Sequence, residues 1–437
     1  NSIVSVGEQL RALGIDREGV VSFMLPNLIE THVLLWAAEA VGIANPVNWM
    51  LEPDHIADIL KAAGTKILAL PPQGTHADIW VKADALRAAL PSVRFISLEP
   101  GAAGPDTIST ACPDDDLAFP PHVLPRPEDV ASYFHTGGTT ASPKIAPHTH
   151  ANEVFTGWAT GCAVDFRTGD VLLCGLPLFH VNAAIVTGVA AFQAGATVLL
   201  FGPSGYRSKT MLQAFWKVVE QQRVTFFSGV PTVYSALLDI DTDGCDLSSL
   251  RYAICGAAPM PPELIRRFEV KTGVSILEGY GLTEGTCVSA LNPRDGERRP
   301  GSIGLRLPYQ QMKAAIIDEA GHHVRDCRPD EVGAILIRGP NVFPGYKCDA
   351  DNRGLWADDG WLNTGDLGRQ SSDGYFWLTG RTKELIIRSG HNIDPMVIEQ
   401  ALYPRHCSRG SRRAARCLCR RGSGRLRYAK ARRRDPG

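Results

Sequence analysis

The sequence predicts an α/β protein with mostly parallel strands, followed by a smaller, more antiparallel and β-barrel-like portion. Two observations carry this. Up to about residue 300, short apolar runs alternate with longer stretches whose apolar residues recur at helical spacing, the pattern of strands covered on both faces by helices. From about Gly301 the runs shorten and Gly/Asp turns separate them, as neighbouring antiparallel strands require.

Taken in order, residues 20–25 read as a strand and 30–41 as a helix. Strands follow at 66–70 and 94–98. The Pro/Asp-rich stretch 100–127 reads as a surface loop, and 130–134 as a strand running into a Gly/Thr loop. Further strands are expected at 171–174, 224–227, 252–255 and 275–277. In the antiparallel portion they fall at 313–318, 333–338 and 374–379. The most membrane-like window, 183–201, has no charge but contains Thr187, Gly188, Gln193, Gly195 and Thr197. It reads as a buried helix, a turn at Ala194-Gly195 and a strand at 197–201.

The chain has 437 residues and a formal net charge of −1. That value averages two unlike parts. Residues 403–437 hold 12 Arg, one Lys and one Asp, a net +12, while the remaining 402 residues hold 32 basic and 45 acidic side chains, a net −13. Ordinary apolar content, 44%, excludes wholesale disorder. The 11 cysteines lack framework spacing, which points to free thiols and a cytoplasmic, reducing setting. No Cys-x-x-Cys occurs, and Cys417 and Cys419 have no nearby His partners, so a zinc site is not expected. No signal peptide follows Asn1.

The loop after 130–134 reads His135-Thr136-Gly137-Gly138-Thr139-Thr140-Ala141-Ser142-Pro143-Lys144. Small residues let backbone N–H groups approach phosphate oxygens, hydroxyls add donors, and Lys144 adds a point charge. The Walker spacing is absent, because Lys144 follows Pro143 and no Ser or Thr follows it. From these residues alone, a phosphate loop and a plain surface loop are both open.

Residues 133–152 resemble the signature of the AMP-forming adenylating enzymes, the superfamily of acyl-CoA synthetases, firefly-type luciferases and peptide-synthetase adenylation domains. Thr136, Gly138, Thr139, Thr140, Pro143, Lys144, Thr149, His150 and Asn152 fall in register. Gly137, Ala141 and Ile145 depart from it, removing one hydroxyl and stiffening the loop. Tyr280-Gly281-Leu282-Thr283-Glu284 is similar to the second family motif. There the resemblance implies that Tyr280 faces adenine, Thr283 bonds the α-phosphate and Glu284 holds Mg²⁺, roles that an aromatic face, a hydroxyl and a hard carboxylate oxygen suit. The spacing of Gly279, Gly281 and Gly285 is not that of a dinucleotide fold.

Trp361-Leu362-Asn363-Thr364-Gly365-Asp366 resembles the third motif, with Asp366 implied to accept the ribose hydroxyls. Gly380-Arg381-Thr382-Lys383-Glu384 resembles the hinge: Arg381 would reach ribose or phosphate, and Lys383 would be the swivel. The match continues through residues 389–395 and Glu399. Weaker resemblances place His180, in Pro177-Leu178-Phe179-His180, beside an acyl tunnel, and Gly256, in Gly256-Ala257-Ala258-Pro259, at the wall between adenine and acyl sites. Residues 227–232 resemble another pocket wall, and 5–14 the helix ahead of the first strand.

The resemblance implies two mostly parallel sheets with flanking helices in a large domain, 1–380, that binds ATP and the acid. It implies a hinge and the start of a small C-terminal domain at 381–402. The expected activity is ATP-dependent conversion of a carboxylic acid to acyl-AMP and pyrophosphate, then thioester formation with CoA. Thr283, Glu284, Lys144 and His180 are the expected catalytic set. ATP, Mg²⁺ and CoA are the expected cofactors, and the acid is expected to be aliphatic or aryl, since no acidic residue is placed to meet a substrate amine. No nucleic acid partner and no transmembrane segment are expected. The alternatives are a non-catalytic nucleotide or acyl binder, and adenylation for a carrier protein.

The match stops at Leu402, where apolar periodicity gives way to Arg-rich sequence that cannot bury a core. The segment 403–437 reads as an out-of-frame or truncated end that leaves the small domain incomplete and adenylation impaired. A natural basic tail is the rival reading. Lys430 lies in no matching motif and is assigned no role. The chain also reads as short before residue 5.

Overall fold

Val20–Phe23 (β1) is buried at every position, and Ile43–Pro46 (β2) likewise, as strands sandwiched between helices must be. With Thr65–Leu70 (β3), Arg94–Glu99 (β4), Thr107–Ser109 (β5), Val130–Thr136 (β6) and Lys144–Thr149 (β7) they form a seven-stranded sheet in the order β5-β4-β3-β1-β2-β6-β7. All its pairings are parallel except β6 with β7. The computed structural model describes residues 1–101, 104–111, 117–136, 143–242, 244–358, 360–381, 386–388 and 391–393. Gly137, Gly138, Thr139, Thr140, Lys383 and the 403–437 segment therefore lie outside the described residues.

Helices Ser2–Ala12 (α1), Ile29–Val41 (α2), Pro53–Ala63 (α3) and Ala77–Ala89 (α4) flank this sheet. α3 shows the sequence logic plainly. Pro53 opens its first turn, Ile56, Ile59, Leu60 and Ala63 face inward, and Gly64 ends it in a left-handed conformation. His150–Val164 (α5) starts on a capping box in which Thr149 and Asn152 satisfy each other's backbone N–H.

The second sheet contains Val171–Cys174 (β8), Thr197–Leu200 (β9), Phe226–Gly229 (β10), Tyr252–Cys255 (β11), Ser275–Leu282 (β12), Cys287–Leu291 (β13) and Leu305–Arg306 (β14). Its order is β14-β13-β12-β11-β10-β8-β9, parallel from β12 to β9 and antiparallel at the other edge. Phe215, Trp216, Phe227, Tyr234 and Phe268 fill one core beside it. The antiparallel portion expected after Gly301 is a six-stranded sheet of Gln311–Ile317 (β15), His323–Asp326 (β16), Gly333–Arg338 (β17), Trp356–Asp358 (β18), Trp361–Gln370 (β19) and Phe376–Arg381 (β20).

Several expectations shift. The 100–127 loop contains β5, which adds to the sheet edge beside β4, so local Pro/Asp content concealed a short strand. The strand expected at 224–227 starts later, at Phe226, and the one expected at 275–277 runs on to Leu282. The uncharged 183–201 window is a π-helical stretch, Asn182–Val189, then a short helix, Ala190–Gln193, a turn with Gly195 at φ +68°, and β9. Among the described residues no helix is long and apolar enough to cross a membrane.

The chain divides into Asn1–Lys383 and Glu384–Gly437. In the second unit the described residues are one antiparallel pair, Ile386–Arg388 with His391–Ile393.

Candidate active site

The C-terminal ends of β8, β10, β11 and β12 open onto one cavity of about 650 Å³, the place where open α/β sheets bind ligands. Gly175 and Leu176 after β8, Val230 after β10, Gly256 and Ala257 after β11, and residues 279–283 on β12 line it. The π-helical stretch adds Asn182 and Val186, an irregularity of the kind that accompanies functional sites. Ala257 stands at φ +65°, a left-handed conformation unusual for a residue with a Cβ, at the cavity wall.

At the β12 side the residues expected to hold the nucleotide meet. Tyr280 is buried, lines the cavity, and its hydroxyl donates to Asp366 Oδ2 at 2.5 Å. Arg381 Nε donates to the other oxygen, Asp366 Oδ1, at 2.8 Å. Burial, then the adjacent Asp366 charge, holds the Tyr280 phenol well above its ordinary value, so it stays protonated and donating. Asp366 is aimed by its own turn: Gly365 at φ +75° donates its N–H to Asn363 Oδ1, and Asp366 N–H donates to Thr364 Oγ1.

Thr283 and Glu284 leave β12 through a turn that only glycine permits. A Cβ on Gly281 would sit 1.3 Å from the Cys287 carbonyl oxygen, because the β12–β13 register shifts between Tyr280 and Gly281. His148 Nε2–H on β7 donates to the Thr283 carbonyl at 2.7 Å, tying the two sheets together. The Tyr346 hydroxyl donates to Glu284 Oε1, and Thr136 stands beside the same hydroxyl. Lys144 Nζ lies over the Tyr346 ring, 4.7 Å from its centre, and 3.6 Å from Asp351 Oδ1. Tyr346 thus gathers Thr136, Lys144 and Glu284 around one side chain. No motif pointed to it. Its signal was only the aromatic residue after Gly345, in a stretch with no repeated chemistry.

His180 borders the cavity and is exposed there by surface area, although protein atoms around the ring partly desolvate it. Burial lowers its imidazole pKa. His135, at the end of β6, is lowered to about 4, first by burial and then by the nearby His180. Both rings are therefore neutral near pH 7. Gly256 sits beside β12, its missing Cβ position 3.6 Å from the Gly279 carbonyl oxygen. The expected residues Thr136, Lys144 and Glu284 thus converge on Tyr346, while Thr283, next to Glu284, is held by His148. Tyr280, Asp366 and Arg381 converge on one carboxylate.

Residues 2–347 match the AMP-binding enzyme family over most of the chain. The chain belongs to that family. Among its relatives, marinolic acid–CoA ligase from Pseudoalteromonas sp. is 40% identical over 417 residues, which cover 91% of this chain and 62% of that protein. The chain thus spans less than two thirds of that relative's length. Sulfoacetate–CoA ligase from Cupriavidus necator is 34% identical over 405 residues, 91% of this chain and 75% of the relative. Of solved structures, ATP-bound MatB from Rhodopseudomonas palustris superposes with a TM-score of 0.76 at 26% identity, covering 91% of this chain and 75% of that one.

Proposed function

We propose that this chain activates a carboxylic acid with ATP, forming acyl-AMP and pyrophosphate, and that CoA receives the acyl group. The single observation that carries this is the convergence of a hydroxyl, a cation and a carboxylate (Thr136, Lys144 and Glu284) on Tyr346, next to a largely apolar cavity. The names of the CoA ligases it is similar to support the same reading.

The carboxylate of the acid and the α-phosphate of ATP are both anions, so the protein must neutralise charge and align the reactants. Tyr280 would lie against adenine, with Asp366 and Arg381 at the ribose. Lys144 would meet phosphate oxygens, which compete with its 3.6 Å contact to Asp351. The Thr283 hydroxyl would donate to the α-phosphate. Its backbone is held still by His148. Glu284 fits Mg²⁺: one of its oxygens accepts from Tyr346, and the other meets no hydrogen-bond donor among the described residues and would face a cation. Among the described residues no cluster of His, Cys, Asp or Glu could hold a metal unaided, so phosphate and water would complete the shell. Bound there, Mg²⁺ supplies charge neutralisation. His180, neutral and at the cavity wall, would shape the path of the acid beside the reacting carbon.

The acid is read as aliphatic or aryl. Among the described residues no Asp or Glu lines the cavity to pair with a substrate amine. We assign 1–380 to the nucleotide- and acid-binding domain, and 381–402, with Lys383 as swivel, to the hinge and the start of a second domain. ATP–pyrophosphate exchange with a panel of acids tests the proposal. Exchange driven by an acid and abolished by removing Mg²⁺ is expected. ATP binding without exchange for any acid would make the chain a nucleotide binder.

A further inference from the structure

We propose that the acid activated by this chain carries a second anionic group, remote from the reacting carboxylate, and that Arg207 receives it. The proposal rests on the ligase reading above and deepens it.

The cavity walls are mostly apolar, with Leu176, Val186, Val233 and Ile254 among them. Among the described residues, one lining side chain carries a fixed charge, that of Arg207. The other titratable cation among them, His180, is neutral at physiological pH for the reason given above. Arg207 makes no ion pair with the described acidic residues. Its guanidinium instead stacks on the Trp49 indole, 5.1 Å from the ring centre, and lies against Met50 Sδ. An arginine laid on an aromatic face keeps its planar donor fork in one orientation at low entropic cost. Arg207 is exposed, so it stands at the open side of a mostly apolar cavity, and a cation there without a described acidic partner suits an anion that arrives with the ligand.

The sheet order places this cation far from the chemistry. Thr283 follows β12. Arg207 follows β9, on a segment that folds back against the end of β8, where Tyr206 N–H donates to the Gly175 carbonyl at 3.0 Å. Between β12 and the β8–β9 edge lie three to four strand spacings, or about 14–19 Å. The nucleotide residues Tyr280, Asp366 and Arg381 belong to the β12 side. Arg207 is therefore placed to meet the tail of the acid and not the phosphates of ATP. An elongated dicarboxylic acid, or its ω-sulfonate counterpart, has the required chemistry.

Exchange assays on the full chain should compare straight-chain dicarboxylic acids, from adipic to dodecanedioic, with monocarboxylic acids of equal carbon number and with ω-sulfonates. The chain is expected to favour one of the anionic series by about tenfold or more in kcat/KM. In Arg207→Met that ratio should fall by about tenfold, mainly through KM, with Arg207→Lys in between. The anionic series that responds identifies the terminal group. Equal loss on all acids, or no preference in the unaltered chain, would overturn the proposal. So would an effect confined to the CoA step with exchange intact. If no acid drives exchange, the ligase reading fails by itself. Calorimetric binding of the same acids then decides the Arg207 proposal, and identical affinities for the unaltered chain and Arg207→Met would end it.

Discussion

The Tyr280 hydroxyl donates a 2.5 Å hydrogen bond to Asp366 across 86 residues of sequence, joining the second motif to the third. Tyr280 therefore has two separable parts: a ring that lines the cavity and a hydroxyl that holds a 4% exposed carboxylate. Tyr280→Phe should destabilise the fold by about 1–3 kcal/mol, since a buried charged acceptor loses its donor. ATP affinity should fall less than in Tyr280→Ala, because the ring remains and Arg381 still holds Asp366. Tyr280→Ala should weaken ATP binding by a further 1–3 kcal/mol or about that, the worth of a base–aromatic stack. Urea unfolding and ATP calorimetry on both variants check this; equal loss of affinity in both would deny the stacking role.

Glu284 and Tyr346 make a second pair. Glu284→Gln should cut pyrophosphate exchange by about a hundredfold, because an amide is a poor Mg²⁺ ligand. Tyr346→Phe keeps the ring under Lys144 but frees Glu284 to turn. It should raise the Mg²⁺ concentration needed for half-maximal exchange while changing the rate at saturating Mg²⁺ less than Glu284→Gln does. A magnesium titration of exchange separates the two, and a Tyr346→Phe curve that overlays the unaltered chain would remove Tyr346 from the site.

Much of this arrangement was legible in the sequence. Buried strands such as β11, and β8 apart from half-buried Val171, announce themselves as apolar runs, and Thr283, Glu284 and Asp366 stand in motifs whose chemistry fixes their types. Tyr346 and Arg207 were not legible. The roles proposed for them rest on what the fold lays beside them, Glu284 from 62 residues earlier and Met50 from 157 residues earlier. The same holds for His148. It looks like one more residue of a strand until the Thr283 carbonyl is found at its Nε2. Strand β5 was hidden because its three residues pair with β4 in a stretch whose composition favours turns.

Gly281 tests the turn that aims Thr283 and Glu284. Any Cβ there collides with the Cys287 carbonyl, a backbone atom that cannot swing aside. Gly281→Ala should force the β12–β13 pair apart and cost about 2–4 kcal/mol, at the upper end of single-substitution effects. Gly273→Ala is the control for backbone strain without collision, since Gly273 is at φ +70° with nothing within 4 Å of its Cβ position. Denaturation midpoints compare them; a milder effect at Gly281 than at Gly273 would show that the strands part without cost.

Glu278 predicts a pH dependence. It lies next to Gly279 on β12, and its carboxyl pKa rises from 4.5 to about 8, chiefly through burial, although Gly301 N–H donating at 2.7 Å opposes the rise. The folded state therefore holds a proton that the unfolded chain releases above about pH 4.5. Stability from this group is complete below that pH and declines as pH rises toward 8, by at most about 1.4 kcal/mol per pH unit. Glu39, also raised by burial, acts in the same direction. Asp165 and Asp246, lowered to about 2 by hydrogen bonds to neighbouring Arg and Ser groups, act oppositely and only at more acidic pH. Glu278→Gln mimics the protonated acid and removes its share of the slope. Between pH 5 and 8 the variant should lose less stability than the unaltered chain, and above pH 8 it should be the more stable of the two. Melting temperatures across that range, in buffers of matched ionic strength, are the measurement; parallel curves would mean that Glu278 is ionised in the fold.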